Sequence, residues 1–323
     1  MGKREVLALL RDGEYVSGEE ISKALHISRA AVWKSVKALR SDGCAIVSAP
    51  NRGYCLHPER THLLMPQIQR GLASCPWAGQ VQLLEEVDST NTRAKQLAAQ
   101  GAPHGTVVIA GRQSGGRGRL GRQFSSPNGG VYLSVLLRPQ EAASELLHLT
   151  AAVAVAVRRA ISDCCDLQTD IKWMNDLLID GKKVCGILTE LATEAGSGML
   201  EYAVIGMGIN CNTRMEDFPE DVRSKAASLC SARGRTINPN ELASALVRRL
   251  DEMDACLQTQ RANYLAEYAA ACITIGKDVL LLRGGESREA HALGIDAHGG
   301  LLVRYADGTT ATVNAGEVSV RNF

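Results

Sequence analysis

The chain has 323 residues and a formal net charge of +1, and 45% of its residues are hydrophobic. This length allows two or three domains with at least one large core. No apolar run approaches the roughly 18 residues of a membrane span, and the N-terminus lacks the pattern of a signal peptide. The ten cysteines include no C-x-x-C pair. We therefore expect reduced thiols in a cytoplasmic protein, without disulfides, zinc or a redox motif.

The first sixty residues predict a winged helix-turn-helix domain, with the helix-turn-helix at about residues 18–37. Apolar residues at helical spacing predict three helices, over 3–11, 19–25 and 29–41. Ser17 and Glu20 have the spacing of a capping box for the second helix, and Ser28 is placed to cap the third. Two short apolar segments, 44–48 and 53–56, then predict the hairpin that forms the wing.

The third helix has a small, basic outer face that fits a major groove. Val32, Val36 and Leu39 lie on its other side and predict a small core. The candidate DNA-contacting residues are Ser28, Arg29, Ala30, Trp33, Lys34 and Lys37. The alternative is a helical domain for protein contacts, because residues 1–57 contain nine Lys and Arg against six acids.

The middle of the chain contains a basic stretch with no acid. Residues 89–140 have no Asp or Glu among 52 residues, but they have seven Lys and Arg. Within this stretch, GRQSGGRGRLGRQF (111–124) contains four arginines and five glycines between strands predicted over 106–113 and 129–139. It matches neither a P-loop nor a dinucleotide fingerprint. We expect a mobile loop that orders around an anion, and the alternative is a basic surface patch without a ligand.

Two polar motifs flank this loop. In the first, DSTN (88–91), Ser89 and Thr90 either face a small polar ligand or cap the helix predicted after them; capping is the simpler interpretation. In the second, the dipeptide at 180–181 predicts a hairpin turn. That turn places Lys183 opposite Leu178, and the other residues predicted on its face are Asp176, Cys185 and Ile187. Lys183 either meets an anion there or extends to water.

The last third of the sequence predicts a change of architecture. A strand over 201–209 contains Gly206 and Gly208, where a ligand or backbone approaches closely. Two amphipathic helices follow, over 240–256 and 261–271. Short strands separated by glycine turns, predicted over 278–283, 301–305 and 310–314, indicate a small β-barrel.

Together these motifs resemble the family of bifunctional biotin protein ligases and biotin operon repressors. The motifs that carry the resemblance, in the family's order, are DSTN (88–91), GRGRLGR (116–122), KWMND (172–176), GKKVCGILTE (181–190) and GMGIN (206–210). The resemblance covers almost the whole chain and implies an α+β fold. Its three parts are a winged helix-turn-helix domain over 1–60, an α/β ligase domain related to class II aminoacyl-tRNA synthetase-like folds over 66–270, and an SH3-like β-barrel over 271–323.

The resemblance also implies an activity. Members join biotin to ATP, form biotinyl-5′-adenylate, and transfer biotin to a lysine of a biotin carboxyl carrier protein. With adenylate bound, they form a homodimer on operator DNA. ATP, biotin and Mg²⁺ are implied, but a redox cofactor or a membrane is not. The alternatives are a biotin-sensing transcription factor without ligase activity and a lipoate-type ligase; Lys183 and the Arg/Gly loop argue against the first, and the DNA-binding domain and GRGRLGR argue against the second.

The family's functional residues are assigned by matching motifs. The implied biotin-binding residues are Ser89, Thr90, Asn91, Gln113, Arg117, Gly118, Arg119, Lys183 and Gly186. The implied ATP-binding residues are Arg119, Arg122, Phe124, Asn175, Asp176 and Asn210, with Asp176 as the candidate Mg²⁺ ligand. The implied catalytic residues are Lys183, Arg117 and Arg119. Two positions differ from the usual pattern, because Met174 replaces a Pro and Phe124 replaces a Trp.

Overall fold

The chain has three groups of elements: an N-terminal helical unit, a central seven-stranded sheet with helices, and a C-terminal five-stranded sheet. The computed structural model describes residues 3–10, 14–41, 46–56, 62–139, 147–193, 199–283, 286–314 and 317–320. Within these ranges, no helix combines the length and the hydrophobicity needed to cross a membrane.

The N-terminal unit is a helix-turn-helix with a hairpin. Its elements are α1 (Lys3–Leu9), α2 (Gly18–Leu25), α3 (Arg29–Ser41), β1 (Ile46–Ala49) and β2 (Gly53–Leu56). The capping box is confirmed, since the Ser17 N–H donates to Glu20 Oε2 at 2.8 Å and the Glu20 N–H donates to Ser17 Oγ at 3.1 Å. Ser28 caps α3, because its Oγ accepts from the Ala31 N–H at 3.2 Å. The predicted ends at residues 11 and 44–45 lie outside the described ranges.

The central sheet has the strand order β3-β4-β5-β9-β8-β7-β6. Its strands are β3 (Val81–Val87), β4 (Thr106–Gln113), β5 (Val131–Leu137), β6 (Asp170–Lys172), β7 (Asp176–Ile179), β8 (Lys182–Thr193) and β9 (Leu200–Ile209). Only β3 and β4 pair in parallel among the described strands, which requires a crossover through the helix between them.

Helices cover both faces of this sheet, and alternation along β4 divides its side chains between two hydrophobic clusters. Val108 packs with residues of α5 (Thr90–Ala99), whereas Val107 and Ile109 belong to the larger cluster on the other face. That cluster includes most of α6 (Leu147–Cys165) and the buried apolar residues of α9 (Pro239–Ala271). The two predicted C-terminal helices are joined in α9, with non-helical backbone at Gln260.

Three short helices are not predicted by the sequence patterns: α4 (Met65–Gly71), α7 (Glu220–Arg223) and α8 (Leu229–Arg233). The apolar sequence at about residues 142–163 predicts a long helix, which is confirmed from Leu147 onward as α6, and residues 142–146 lie outside the described ranges.

The hairpin turn predicted at residues 180–181 is present, and both residues have positive φ, at 49° and 74°. Lys183 pairs with Leu178, as predicted. The register then shifts, which leaves Val184 as the extra residue of a β-bulge. A bulge of this kind moves every later residue of the strand to the opposite face.

Because of this bulge, the prediction that Cys185 and Ile187 share the face of Lys183 is wrong. They are 0% and 2% exposed and belong to the hydrophobic core. Gly186 shares the face of Lys183 instead, because it pairs directly with Asp176. A Cβ atom at Gly186 would lie 2.9 Å from Lys183 Nζ, so the bulge places the lysine over a residue without a side chain.

The C-terminal sheet has the strand order β13-β12-β11-β10-β14. Its strands are β10 (Asp278–Arg283), β11 (Glu286–Ile295), β12 (Leu301–Arg304), β13 (Thr310–Val313) and β14 (Glu317–Val320). The sequence patterns predict β10, β12 and β13 but miss β11 and β14. Its buried residues, such as Val279, Ala292 and Val303, belong to the same hydrophobic cluster as the central sheet.

Candidate active site

A cleft lies over the central sheet, with an empty volume of about 1010 Å³ that includes its open mouth. Residues from five segments line it: 89–91, then 117–120 with 122–124, then 172, 173, 175 and 176, then 183 with 186–188, and finally 206–208. Gln113 and Val318 complete the lining. With the exception of Asn210, the structure brings all residues predicted for biotin and ATP into this cleft.

Ser89 and Thr90 stand at the start of α5 but do not cap it. Ser89 occupies the N-cap position, and its side chain makes no capping hydrogen bond. The Thr90 hydroxyl instead lies 2.7 Å from Ser134 Oγ and 3.0 Å from Gln113 Oε1. The simpler capping interpretation is therefore wrong, and both residues belong to the cleft wall.

A chain of neutral hydrogen bonds forms this end of the cleft. The Thr90 N–H donates to Gln113 Oε1 at 2.8 Å, and Gln113 Nε2 donates to Ser126 Oγ at 2.9 Å. On its other side, Ser134 Oγ lies 2.6 Å from Asn91 Oδ1. Since Ser134 is completely buried, water does not compete for the hydrogen bonds at the centre of this wall.

The neutral chain ends on a charged residue. Asn91 Nδ2 donates to Glu190 Oε2, and Lys95 Nζ contacts Glu190 Oε1, both at 2.8 Å. Burial alone would raise the pKa of Glu190, but the hydrogen bonds from Lys95 and Asn91 outweigh it and hold that pKa below its ordinary value. Glu190 is therefore an anion at neutral pH.

The arginine- and glycine-rich segment forms a short hairpin at the cleft. The Gly118 N–H donates to the Arg122 carbonyl at 2.7 Å, and the Phe124 N–H donates to the Gly116 carbonyl at 2.9 Å. Leu120 stands at the tip with a φ of 55° and is 73% exposed. These two hydrogen bonds give the segment a turn structure of its own, and its ordering around an anion stays a prediction.

The Phe124 ring packs against Gly186 and Gly208 at the base of the cleft. A Cβ atom on Gly208 would overlap its ring, and one on Gly186 would lie 2.9 Å from its Cε2 atom. Lys183 Nζ is 5.5 Å from the ring centroid. The aromatic ring and the cation therefore occupy the same end of the cleft.

The charged end contains Lys183 and Asp176 in direct contact. Lys183 Nζ lies 2.6 Å from Asp176 Oδ1, and their side chains are 33% and 25% exposed. Arg119 reaches the same place, since its guanidinium donates to Asn175 Oδ1 at 3.3 Å. Asn175 in turn donates from Nδ2 to the Ile187 carbonyl at 2.8 Å, which ties the turn after β6 to β8.

This turn is also held from behind. The Trp173 N–H donates to Thr274 Oγ1 at 3.0 Å, and Trp173 Nε1 donates to the Gly299 carbonyl at 3.1 Å. Tyr268 donates its hydroxyl to the Met174 carbonyl at 3.0 Å. Burial raises the pKa of Tyr268 well above its ordinary value, so this hydroxyl remains a neutral donor.

Asn210 lies behind the cleft. It is 3% exposed, and its Nδ2 atom donates to the Lys183 carbonyl at 3.3 Å and to the Ala227 carbonyl at 3.0 Å. Its position fixes the backbone that carries Lys183. The predicted contact with ATP therefore has no counterpart in the geometry of the cleft.

The arrangement can bind a neutral polar ring at one end and anions at the other. Fixed cations next to a pocket for a polar group can bring two negatively charged reactants together. In the described part of the chain, no three His, Cys, Asp or Glu side chains converge as a metal site. Asp176 is the acidic residue of the described cleft lining.

Comparisons with known proteins agree with this geometry. Residues 83–210 match the Biotin/lipoate A/B protein ligase family, residues 3–55 an HTH domain, and residues 274–321 the Biotin protein ligase C terminal domain. The chain is 34% identical to the bifunctional ligase/repressor BirA of Bacillus subtilis over 304 residues, which cover 91% of each chain. It is 31% identical to BirA of Escherichia coli over 98% of this chain and 97% of that one. The chain belongs to the BirA family.

A solved structure supports the same assignment. The biotin protein ligase from Aquifex aeolicus, in complex with biotin and ATP, has a TM-score of 0.65 and 29% identity to this BirA-family chain. The match covers 76% of this chain and 99% of that one.

The helix-turn-helix of this BirA-family chain presents the predicted DNA-contacting residues to solvent. Ser28, Arg29, Ala30, Trp33, Lys34 and Lys37 are all exposed. Trp33 is 54% exposed, and Lys37 Nζ lies 5.4 Å from the centroid of its ring. The opposite side of α3 is buried, since Val32, Val36 and Leu39 are at most 4% exposed.

Sequence reasoning missed several residues of the BirA-family site. They are Ser134 and Ser126 in the neutral chain, Lys95 and Glu190 behind it, Tyr268 and Thr274 behind the charged end, and Val318 in the lining. Glu190 carries a local signal, because it is the acid at the end of the motif GKKVCGILTE (181–190). The other residues carry no local signal.

Proposed function

We propose that the protein is an ATP-dependent biotin protein ligase that forms biotinyl-5′-adenylate, and that it also acts as a biotin-responsive transcriptional repressor. The observation that carries the proposal is the polarised cleft, in which the Thr90–Gln113 hydroxyl and amide groups face one end and Lys183 faces the other. A bicyclic urea suits the neutral end. A carboxylate attacking an α-phosphate suits the cationic end, because the two anions repel each other without it.

The chain's own residues divide this work. Lys183 neutralises the carboxylate oxygen and the α-phosphate oxygen as the new bond forms and pyrophosphate leaves. Arg117 and Arg119, on the hairpin, cover the adenylate and keep water from it. Phe124 places its ring at the glycine-lined base of the cleft beside Lys183, where it can stack on adenine.

Mg²⁺ fits this end of the cleft in one specific way. Magnesium is commonly held by one or two carboxylates together with substrate phosphates and water, and Asp176 supplies one carboxylate. When bound with ATP, the ion would neutralise phosphate charge. Asp176 would then exchange its contact with Lys183 for the metal, which would leave the lysine for the reacting groups.

The remaining assignments are proposals of the same kind. The second half-reaction delivers biotin to a lysine of a biotin carboxyl carrier protein in the cytoplasm. Domain limits of 1–60, 66–270 and 271–323 are proposed, with a class II synthetase-like central fold and an SH3-like C-terminal sheet. The adenylate-bound protein would form a homodimer on operator DNA through the exposed face of α3.

The ligase activity is tested by biotin-dependent exchange of labelled pyrophosphate into ATP. We expect exchange with biotin, ATP and Mg²⁺. Its absence at saturating substrate would refute the ligase activity and leave a biotin-sensing transcription factor. Exchange with lipoate in place of biotin would instead support a lipoate-type ligase.

Lys183→Ala tests the central catalytic role. We expect the maximal exchange rate to fall by about a hundredfold or more, since a charge that stabilises the transition state is lost. Biotin binding by equilibrium dialysis should weaken much less. Lys182→Ala is the matched control, because Lys182 is the adjacent lysine of β8 and is exposed outside the cleft. Equal losses in exchange and in biotin affinity would reduce Lys183 to a binding residue.

A further inference from the structure

Behind the neutral end of the cleft lies an ion pair that does not line it. Lys95 Nζ contacts Glu190 Oε1 at 2.8 Å, with side chains 30% and 27% exposed. Neither residue belongs to the cleft lining. The other carboxylate oxygen, Oε2, accepts from Asn91 Nδ2, and Asn91 does line the cleft. The pair therefore reaches the ligand only through other side chains.

The carboxylate fixes which way the Asn91 amide faces. An ionised carboxylate only accepts hydrogen bonds, so the Nδ2 atom must point toward it. The Leu188 carbonyl, 3.4 Å from Nδ2, is a second acceptor on that side. Asn91 Oδ1 must therefore point toward Ser134 Oγ, 2.6 Å away. A reversed amide would place Asn91 Oδ1 against Glu190 Oε2, and two acceptors would then face each other without a proton.

The number of available protons then fixes which group donates in each hydrogen bond from Asn91 to Thr90. Asn91 Oδ1 cannot donate, so the single hydroxyl proton of Ser134 lies between these two atoms. The contact of 2.7 Å between Ser134 Oγ and Thr90 Oγ1 also needs a proton, and only Thr90 can supply it. Gln113 Oε1 then gives up the Thr90 hydroxyl, 3.0 Å away, as a donor, but it still accepts from the Thr90 N–H at 2.8 Å.

This direction defines what the cleft offers a ligand. The Thr90 hydroxyl donates its proton to Ser134 Oγ, so Thr90 Oγ1 can only accept a hydrogen bond from a ligand in the cleft. Gln113 uses one Nε2 proton on Ser126 Oγ at 2.9 Å and keeps a second for a ligand carbonyl. An acceptor beside a donor is the complement of a cyclic urea, which carries an N–H beside its C=O.

We infer that Glu190, held by Lys95, is a positioning residue that directs this hydrogen-bond chain and thereby selects a ligand ring with an N–H facing Thr90. The inference rests on the proposed function, because the ring in question is the ureido ring of biotin. A neutral amide in place of Glu190 can donate as well as accept. It would let Asn91 reverse, and the protons of Ser134 and Thr90 would reverse with it.

The test compares two ligands on three proteins: biotin and a biotin methylated at the ring nitrogen, with the native protein, Glu190→Gln and Ser134→Ala. The native protein should bind the methylated ligand about ten- to hundredfold more weakly than biotin. The reason is that methylation removes the ring N–H that donates to Thr90 Oγ1. In both variants, affinity for biotin should fall and the methylation penalty should shrink to a few-fold. The KM for ATP should stay unchanged, because the charged end keeps all its contacts.

Glu86→Gln is the matched control, since Glu86 also pairs with a cation, Arg112 at 3.2 Å, but lies outside the cleft lining. It should behave as the native protein does. A methylation penalty that is unchanged in Ser134→Ala and Glu190→Gln would overturn the inference, whatever their thermal stability. Absence of biotin-dependent pyrophosphate exchange in the native protein is a separate result, which would refute the proposed function itself.

Discussion

The N-terminal unit and the C-terminal sheet flank the same central domain but are attached to it in different ways. The N-terminal unit has a hydrophobic cluster of its own, formed by residues such as Val6, Ile21 and Val36. Among the described residues of the C-terminal sheet we find no separate cluster, because its buried residues join the cluster of the central sheet. It also supplies Val318 to the cleft lining.

The connections of the two terminal units to the central domain show the same difference. Before α4, Leu63 packs against the central cluster, whereas the next residue, Leu64, packs against the N-terminal one. Arg70 adds a hydrogen bond to the Ala8 carbonyl. At the other connection, Trp173 is embedded between Thr274 and Gly299. The N-terminal unit is thus an addition to the ligase, while the C-terminal sheet is a structural part of it.

A matched pair of cavity mutations tests this difference most strongly. Val36→Ala and Val303→Ala remove the same atoms from sites that are 1% and 0% exposed. Each should cost about 2 kcal/mol of unfolding free energy. By calorimetry, Val36→Ala should lower only the transition of the N-terminal unit, and Val303→Ala should lower the transition of the catalytic body. Identical shifts of a single transition in both variants would contradict two separate cores.

Tyr268→Phe tests the support of the charged end from behind. Loss of the hydrogen bond to the Met174 carbonyl should raise the KM for ATP by about three- to tenfold, equivalent to about 1 kcal/mol. The affinity for biotin should not change. Tyr264→Phe is the control, because Tyr264 lies on the same helix but packs against Arg159 instead. Equal effects of both variants on the KM would show a general loss of stability.

The smallest expected effect concerns the N-terminal unit. Lys34→Ala should weaken operator binding uniformly and reduce the slope of log affinity against log salt by about 1, as expected for one lost phosphate contact. Lys23→Ala is the control, because Lys23 is an exposed lysine on α2 that pairs with Glu19 at 2.9 Å. Pyrophosphate exchange should be unchanged in both. A slope that Lys34→Ala leaves intact would place the phosphate contact elsewhere.

The sequence predicts the parts of this fold that depend on local signals. Capping residues give the start of α2, and a continuous apolar run gives β4 with its observed bounds. The turn at residues 180–181 gives the pairing of Lys183 with Leu178. The bulge at Val184 could not be predicted, because it depends on how β8 fits between two neighbouring strands. In β11, three of the first four residues are charged, which hides the strand from hydropathy.

The candidate site follows the same division. Motifs identify the residues that line the cleft, because loops and glycines mark them. They fail for the residues behind these, such as Ser134 and Tyr268, whose role depends on contacts between distant segments. Asn210 is a motif residue that lies outside the described cleft lining and binds the backbone that carries Lys183.

The position of Val318 in the cleft lining has a consequence for the order in which the site is synthesised. The ribosome makes β14 after all the other described strands, so a growing chain has a cleft with one side open. The side of the cleft at Val318 is thus closed by a strand that is synthesised after the central sheet and all of its motifs.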